Sequence, residues 1–437
     1  MSTPDGPPWR PTAALFRATL LGGLGAFAAV LWHRPDVLVL ATPMLVVATW
    51  SWVRRPHTPL EVRTRLGHQT LREGEATTMR AVLSVPRGVD DVVIQVSPSL
   101  FAQLDPPLGI QVVGSREVNA DRSASASVVV RSTRWGIRAV AEVQYAAWSE
   151  WGAFRQGPVS VDPVLLTTLP LPATFTPSAP LPPPEGLVGP HRSARIGSGS
   201  EFDTLRPFQP GDRLRRIRWP VSLRTGVLHV SSTYGDEDAL VVIVVDAFSD
   251  LGPREGIDGR PTSLDVTVRA AAAIAEHHLA VGDRVGLRVV GSADIPRVPV
   301  GTGRPHLRRV LGVLARIRPA TERRDDGERA IAGIGAGALV FVLSPLVDPG
   351  MVDVVARLGA RGLTVVVVDT MPDHLWTGQE DVYASLAWRI RRLSRGEDVA
   401  RLTGAGVPVV PWKGPGSLDL VLRELSRRAR APRMARR

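Results

Sequence analysis

The densest set of side chains that could do chemistry lies in Ile196–Trp219. There Glu201, Asp203, Arg206, Asp212, Arg213, Arg215, Arg216 and Arg218 alternate around Phe202, Phe208 and Trp219. Planar guanidinium groups hold carboxylates and phosphates through paired hydrogen bonds. The set can close ion pairs within itself, or it can offer an anion-binding face that continues to Arg224. Gly197 and Gly199 permit backbone angles closed to other residues, and Pro207, Pro210, Gly211 and Asp212 punctuate a turn. Phe202, Leu205, Ile217 and Trp219 are apolar positions that favour burial, so the segment is expected to brace the fold more than to face a partner.

Other reactive constellations are missing from the sequence. No Gly-x-x-x-x-Gly-Lys-Ser/Thr loop is present to cradle a nucleotide, and no His-Glu-x-x-His spacing to hold zinc. The histidines are scattered, and adjacent His277 and His278 project to different sides of their helix. Gly197-Ser-Gly-Ser200 is no nucleophile elbow, because no buried strand precedes it and no His and Asp partners stand out. With no cysteine in the chain, disulfides, thiolate metal sites and cysteine nucleophiles are removed together. The expectation is a protein without catalytic residues.

The elements that position these residues follow from composition. With 437 residues, 44% of them hydrophobic and 22% charged, the chain is long enough for two or three domains with cores of their own. The net charge of +11 would suit nucleic acid or anionic lipid. Almost all of it is arginine, with Lys413 the one lysine, which reads as a coding habit, and nucleic acid is not the expected partner. Residues 429–437 form a basic tail.

Residues 1–59 hold two apolar stretches, Thr12–Trp32 and Val37–Val53, separated by His33-Arg34-Pro35-Asp36. Each approaches the ~20 residues that cross hydrocarbon as a helix, and Trp32, Trp50 and Trp52 sit at the ends, where amphipathic rings prefer the interface. The expectation is a transmembrane hairpin in the cell membrane. Arg10, Arg17, Arg54 and Arg55 flank it and place both ends, and the soluble domains, in the cytoplasm. A cleaved signal peptide is the weaker reading, because a second apolar stretch follows at once.

Residues 60–169 change to short alternating strands, among them Leu60–Leu66, Thr78–Val85, Val92–Val96, Ala126–Val130 and Ala139–Val143. Their spacing predicts a β-sandwich, with the aromatics of Trp148-Ser-Glu-Trp151-Gly152 serving core and corner packing. Residues 170–190 are proline-rich and read as a semi-rigid linker. Residues 191–239 contain the segment described first. From 240 to 428 strands and helices alternate: Leu240–Asp246, a helix over 262–280, Val285–Val290, a helix over 305–315, then Ala338–Leu343, Leu363–Asp369 and Val407–Pro411 with helices near 350–360, 380–402 and 416–428. This alternation predicts an α/β doubly wound parallel sheet whose loops at the strand carboxyl ends form the binding edge.

The segment resembles the signature of the bacterial family known as domain of unknown function 58. That signature runs roughly Gly-x-Gly-x-Glu-Phe-x-x-Leu-Arg-x-Tyr-x-x-Gly-Asp-x-x-Arg-x-Ile-Asp-Trp-Lys, then Ala-Arg-x-Gly-x-Leu. Gly197, Gly199, Glu201, Phe202, Leu205, Arg206, Gly211, Asp212, Arg215, Ile217, Trp219, Arg224, Gly226 and Leu228 match it. Arg218, Pro220 and Leu223 depart from it by replacing an acidic, a basic and a small residue.

The resemblance implies a von Willebrand factor A-like α/β domain and a MoxR-type AAA ATPase as partner, in chaperone-like maturation or assembly. It also implies a divalent-metal loop, whose degenerate counterpart here is Asp246, Asp250 and Thr302. Phe248 and Asp250 stand where that fold places serines, and Pro345 where it tends to place an acid. This is a poor oxygen set for Mg²⁺, so no cofactor is expected and Mg²⁺ is disfavoured. The function expected is a membrane-tethered, non-catalytic protein-interaction adaptor. One alternative is a basic-patch binder of nucleic acid or anionic lipid through Arg213, Arg215, Arg216, Arg218 and Arg224. Another is a metal-dependent adhesion module facing outside. The sequence does not indicate an oligomeric state.

Overall fold

A computed structural model describes residues 7–107, 109–114, 117–149, 151–173, 175, 191–208, 217–237, 240–292, 297–319, 328, 331–335, 337–373, 375, 382–414, 416–419 and 422–423. For 191–206, 231–237, 382 and 384 it describes the backbone alone. Most of the proline-rich stretch and the basic tail therefore lie outside the described residues. The chain divides into two compact units, Met1–Thr168 and Leu169–Arg437.

The first unit opens with helices α1 (Ala13–Leu31) and α2 (Pro35–Val53). Both are long and apolar enough to cross a membrane, with mean hydropathies of 1.7 and 1.6. Nineteen residues span roughly 28 Å. Small residues line the seam between them: Ala29, Ala41 and Ala48 are buried, while Phe16, Phe27, Leu40 and Val53 point outward. A Cβ added at Gly25 would stand 2.9 Å from Ala41 Cβ, whereas one at Gly23 meets nothing within 4 Å. Close packing of this kind holds helices together where lipid removes the hydrophobic drive. Gly25→Leu is therefore expected to destabilise the detergent-solubilised chain by about 1–3 kcal/mol, while Gly23→Leu leaves its melting temperature unchanged.

Beyond the helices the unit is built from antiparallel sheets. One has five strands in the order Arg10–Pro11, Phe154–Ser160, Ala141–Ser149, Val89–Pro98, Gly109–Gly114. A second has four, Glu61–Leu66, Ala76–Ser84, Ser123–Ser132, Ala102–Asp105, and a third joins Thr70–Arg72, Leu165–Leu169 and Gly136–Ala139. Period-two alternation puts Met79, Ala81 and Leu83 inside one core with Ile94, Val128, Val130, Tyr145 and Phe154. The sheet also grips the hairpin. Thr12 N–H donates to Ala153 O at 2.9 Å and the Trp52 ring meets Phe154 edge-on, while Trp9 Nε1 donates to Thr58 O at 2.9 Å and ties the segments flanking the hairpin together. Trp151 corrects the core part of the expected core and corner packing, since it lies in a turn. It sits at positive φ with its side chain exposed, and its N–H donates to Asp90.

The second unit begins with strand β1 (His191–Pro207), paired antiparallel with β2 (His229–Glu237); the short helix α3 (Trp219–Thr225) lies between them. A six-stranded sheet follows, made of β3 (Leu240–Asp246), β4 (Arg284–Val290), β5 (Val298–Gly301), β6 (Leu339–Ser344), β7 (Thr364–Asp369) and β8 (Val409–Pro411). The spatial order is β5-β4-β3-β6-β7-β8, all parallel except β5. The apolar runs of β3 from Val241 and of all of β6 are buried, as strands covered on both faces must be.

Helices α4 (Ser263–Val281), α5 (Gly303–Leu314), α6 (Pro349–Ala360) and α7 (Val382–Gly404) complete the unit. Residues of α6 share a core with Val242, Val244, Val340 and Val342, while His278 of α4 stacks on Phe341, whose side chain points to the other face. Thr262 and Asp265 close a capping box that starts α4, and Gly282 ends it in the left-handed conformation.

Candidate functional site

The signature residues separate into three groups. Gly197, Gly199, Glu201, Phe202, Leu205 and Arg206 lie on β1, which the sequence presented as turn-rich, and here the backbone is extended. Gly197 and Phe202 both stand opposite Thr233, so Ser198–Glu201 form a four-residue bulge at the glycine-rich run. Gly211, Asp212 and Arg215 lie outside the described residues, as do Arg213 and Arg216.

The third group is local to α3. Ile217 is buried and bridges Val230, and Arg218 N–H donates to His229 O at 2.9 Å. Buried Ser222 donates to Arg218 O and accepts from His229 N–H, both at 2.9 Å, which pins the helix to β2. Gly226 caps α3 at φ 71°, an angle glycine adopts without strain. Trp219 corrects the expectation of bracing. It is 59% exposed, and Leu223, one helical turn on, is 81% exposed. Val227 and Leu228 are exposed beside them, with Arg218 and Arg224 also on the surface. Bracing falls to Ile217 and Ser222, and Trp219 faces outward.

The carboxyl edge of the sheet is the second locus. Strand order reverses between β3 and β6, the crevice where doubly wound sheets take ligands. Asp246 closes β3 there, buried, with Ser344 Oγ donating to its Oδ2 at 2.6 Å and Phe248 N–H to its Oδ1 at 2.9 Å. Burial pushes this carboxyl up to about 6; the hydrogen bonds from Ser344 and Phe248 oppose the rise, and Asp348 adds to it. The Phe248 ring fills the crevice: a Cβ at Gly291 would stand 2.8 Å from it, and one at Gly350 3.7 Å.

Neighbouring aspartates are engaged as well. Asp250 accepts from Arg254 Nε at 3.1 Å, and Asp348 caps α6 by accepting from Gly350 N–H at 2.8 Å. Asp369 accepts from Met371 N–H at 3.0 Å and from the Arg395 guanidinium, whose Nε also donates to Pro345 O at 2.7 Å.

Thr302 does not join this edge. Gly301 pairs with Val285 at the start of β4, whereas Asp246 pairs with Val290 at its end. Five residues of strand, roughly 17 Å, separate the two levels. The antiparallel sense of β5 is the reason, since it carries Thr302 to the opposite edge. Among the described residues no three His, Asp or Glu side chains gather in a way that could hold a metal. The residues present do not fit Mg²⁺.

One buried polar pair escaped the sequence. His278 Nδ1 lies 2.8 Å from Asp283 Oδ2 at the end of α4, both side chains buried. Adjacent His277 meets His278 edge-on, and burial lowers its pKa. The only signal was the five-residue spacing across Gly282, too common to single out.

Residues 204–398 match the model of the family described as Protein of unknown function DUF58, a little less than half of the chain. Uncharacterized proteins of Mycobacterium bovis and Mycobacterium tuberculosis are 35% identical to this chain over 146 residues, which is 33% of this chain and 45% of theirs. The chain thus spans about half the length of the curated relatives it matches. In this chain α3, Asp246, Ser344 and Asp369 at the carboxyl edge, and α7 as far as Asp398 fall within the stretch that matches the family.

Proposed function

We propose that the protein is a non-catalytic, membrane-tethered interaction adaptor whose α3 face receives a protein partner. The observation that carries this reading is the outward display of Trp219 and Leu223 between two exposed arginines. Tryptophan and arginine dominate binding hot spots, and a fixed helix presents them at little entropic cost. The crevice that would host chemistry in such a sheet is occupied by Phe248 and by a carboxylate already bonded to its own chain, which favours binding over catalysis.

The partner is a MoxR-type AAA ATPase, and the work is chaperone-like maturation or assembly; these rest on the family resemblance. In the same reading the first unit is a β-sandwich and the second a von Willebrand factor A-like domain, which the alternating strands and helices around the six-stranded sheet support. The hairpin crosses the cell membrane, with both soluble units in the cytoplasm.

The test is an affinity pull-down of the detergent-solubilised chain from native membranes, with and without ATP and EDTA. Recovery of an AAA ATPase that tolerates EDTA supports the adaptor. Trp219→Ala should weaken that capture by about 2 kcal/mol or more, roughly 30-fold. Absence of an ATPase under every condition sinks the reading, and loss with EDTA reinstates a metal.

A further inference from the structure

Helix α7 is longer than the sheet it covers. Arg395 is held at the carboxyl edge by Pro345 O and Asp369, while Val399 and Leu402 pack into the core below. The residues before Arg395 therefore overhang that edge by roughly 20 Å at 1.5 Å per residue. On this overhang Tyr383, Leu386, Ile390 and Leu393 are 84%, 51%, 57% and 72% exposed. Their spacing of three, four and three places them on one face, opposite the Arg395 side that meets the body.

An apolar stripe on the outer face of a helix is the reverse of what a soluble surface requires. The charge pattern identifies what suits it. Between Val382 and Gly396 the helix carries Arg389, Arg391, Arg392 and Arg395 and no acid; Glu380-Asp381 and Glu397 bound the run. Arg389 is exposed beside the stripe, one turn from Leu386 and Leu393, and Arg392 is exposed one turn beyond Arg389 on the flank. The same stripe of a second copy would set these arginines against its own, whereas an anionic bilayer meets both features at once: its acyl boundary takes the apolar side chains and its headgroups take the guanidiniums.

We infer that the overhang of α7 is a foot that lies on an anionic membrane surface. This rests on the reading that α1 and α2 hold the chain at a bilayer, which keeps the foot at high effective concentration. It uses residues separate from α3, so one face can serve a protein partner while the other rests on lipid.

The chain has no cysteine, so a single Leu386→Cys accepts an environment-sensitive fluorophore without a background. The labelled chain would be placed in nanodiscs of phosphatidylcholine and in nanodiscs that also contain phosphatidylserine. A blue shift confined to the anionic discs, reversed at about 1 M salt where the Debye length falls to about 3 Å, supports the foot. Reversal by Arg389→Gln with Arg392→Gln supports it too.

Equal emission in both discs overturns it, as does the same blue shift in detergent without lipid, which would mean that protein covers the stripe. A chain that elutes apart from the discs shows instead that the hairpin reading has failed. Free vesicles of the two compositions then read the foot directly. The double glutamine variant should bind anionic vesicles about 30-fold more weakly, and unchanged binding overturns the proposal.

Discussion

Phe341→Ala is expected to cost the second unit about 3–5 kcal/mol, the range for emptying a buried phenyl site. Phe341 is fully buried at the middle of β6, paired in register with Ile243 on one side and Val366 on the other. Its ring also stacks on His278, so truncation opens a cavity beside the buried His278–Asp283 pair. A domain holds about 5–15 kcal/mol in total, so the loss is about a fifth of it or more. Pulse proteolysis across a urea series in detergent would read the change. Phe341→Leu keeps most of the volume and should cost far less; a cost below about 1 kcal/mol for the alanine would contradict the packing described here.

Asp246→Asn is expected to raise stability at pH 8 by up to about 3 kcal/mol and to erase a pH dependence. Folding raises the carboxyl from 3.8 to about 6, so the folded chain holds its proton more tightly than the unfolded chain does. Stability from this group is complete below about pH 4 and is lost as pH rises through 6, where a buried charge remains. Two pKa units correspond to about 3 kcal/mol. Asparagine can still accept from Phe248 N–H and reach Ser344, but it carries no charge. Urea midpoints at pH 4.5 and 8 should differ more in the parent than in the variant. Equal differences would show that Asp246 does not titrate in this window.

The α/β unit was legible because its signals are local and redundant. Leu240–Asp246 is an unbroken apolar run at its observed bounds, and Thr262 marks the start of α4 through its capping box. The two apolar helices were legible for the same reason, their length and lack of charge. Strands β1, β2 and β5 were missed, the first two because glycine, proline and charge in 191–239 imitate a turn, the last because four residues give too little pattern.

Trp219 misled because hydrophobicity measures what a side chain avoids in water, not whether its own fold covers it. The stripe on α7 escaped for a related reason. Periodicity marks an apolar face, but only the body-facing Arg395 shows that the face points outward.

The grip of the first sheet on its hairpin sets an order of events during synthesis. Arg10–Pro11 leaves the ribosome first, yet its strand partner is Phe154–Ser160, and Thr12 must wait for Gly152 and Ala153. Both helices emerge long before that strand exists. The clasp therefore closes late, after some 140 further residues, and a chain cut short within the sheet keeps an anchor with nothing fastened to it.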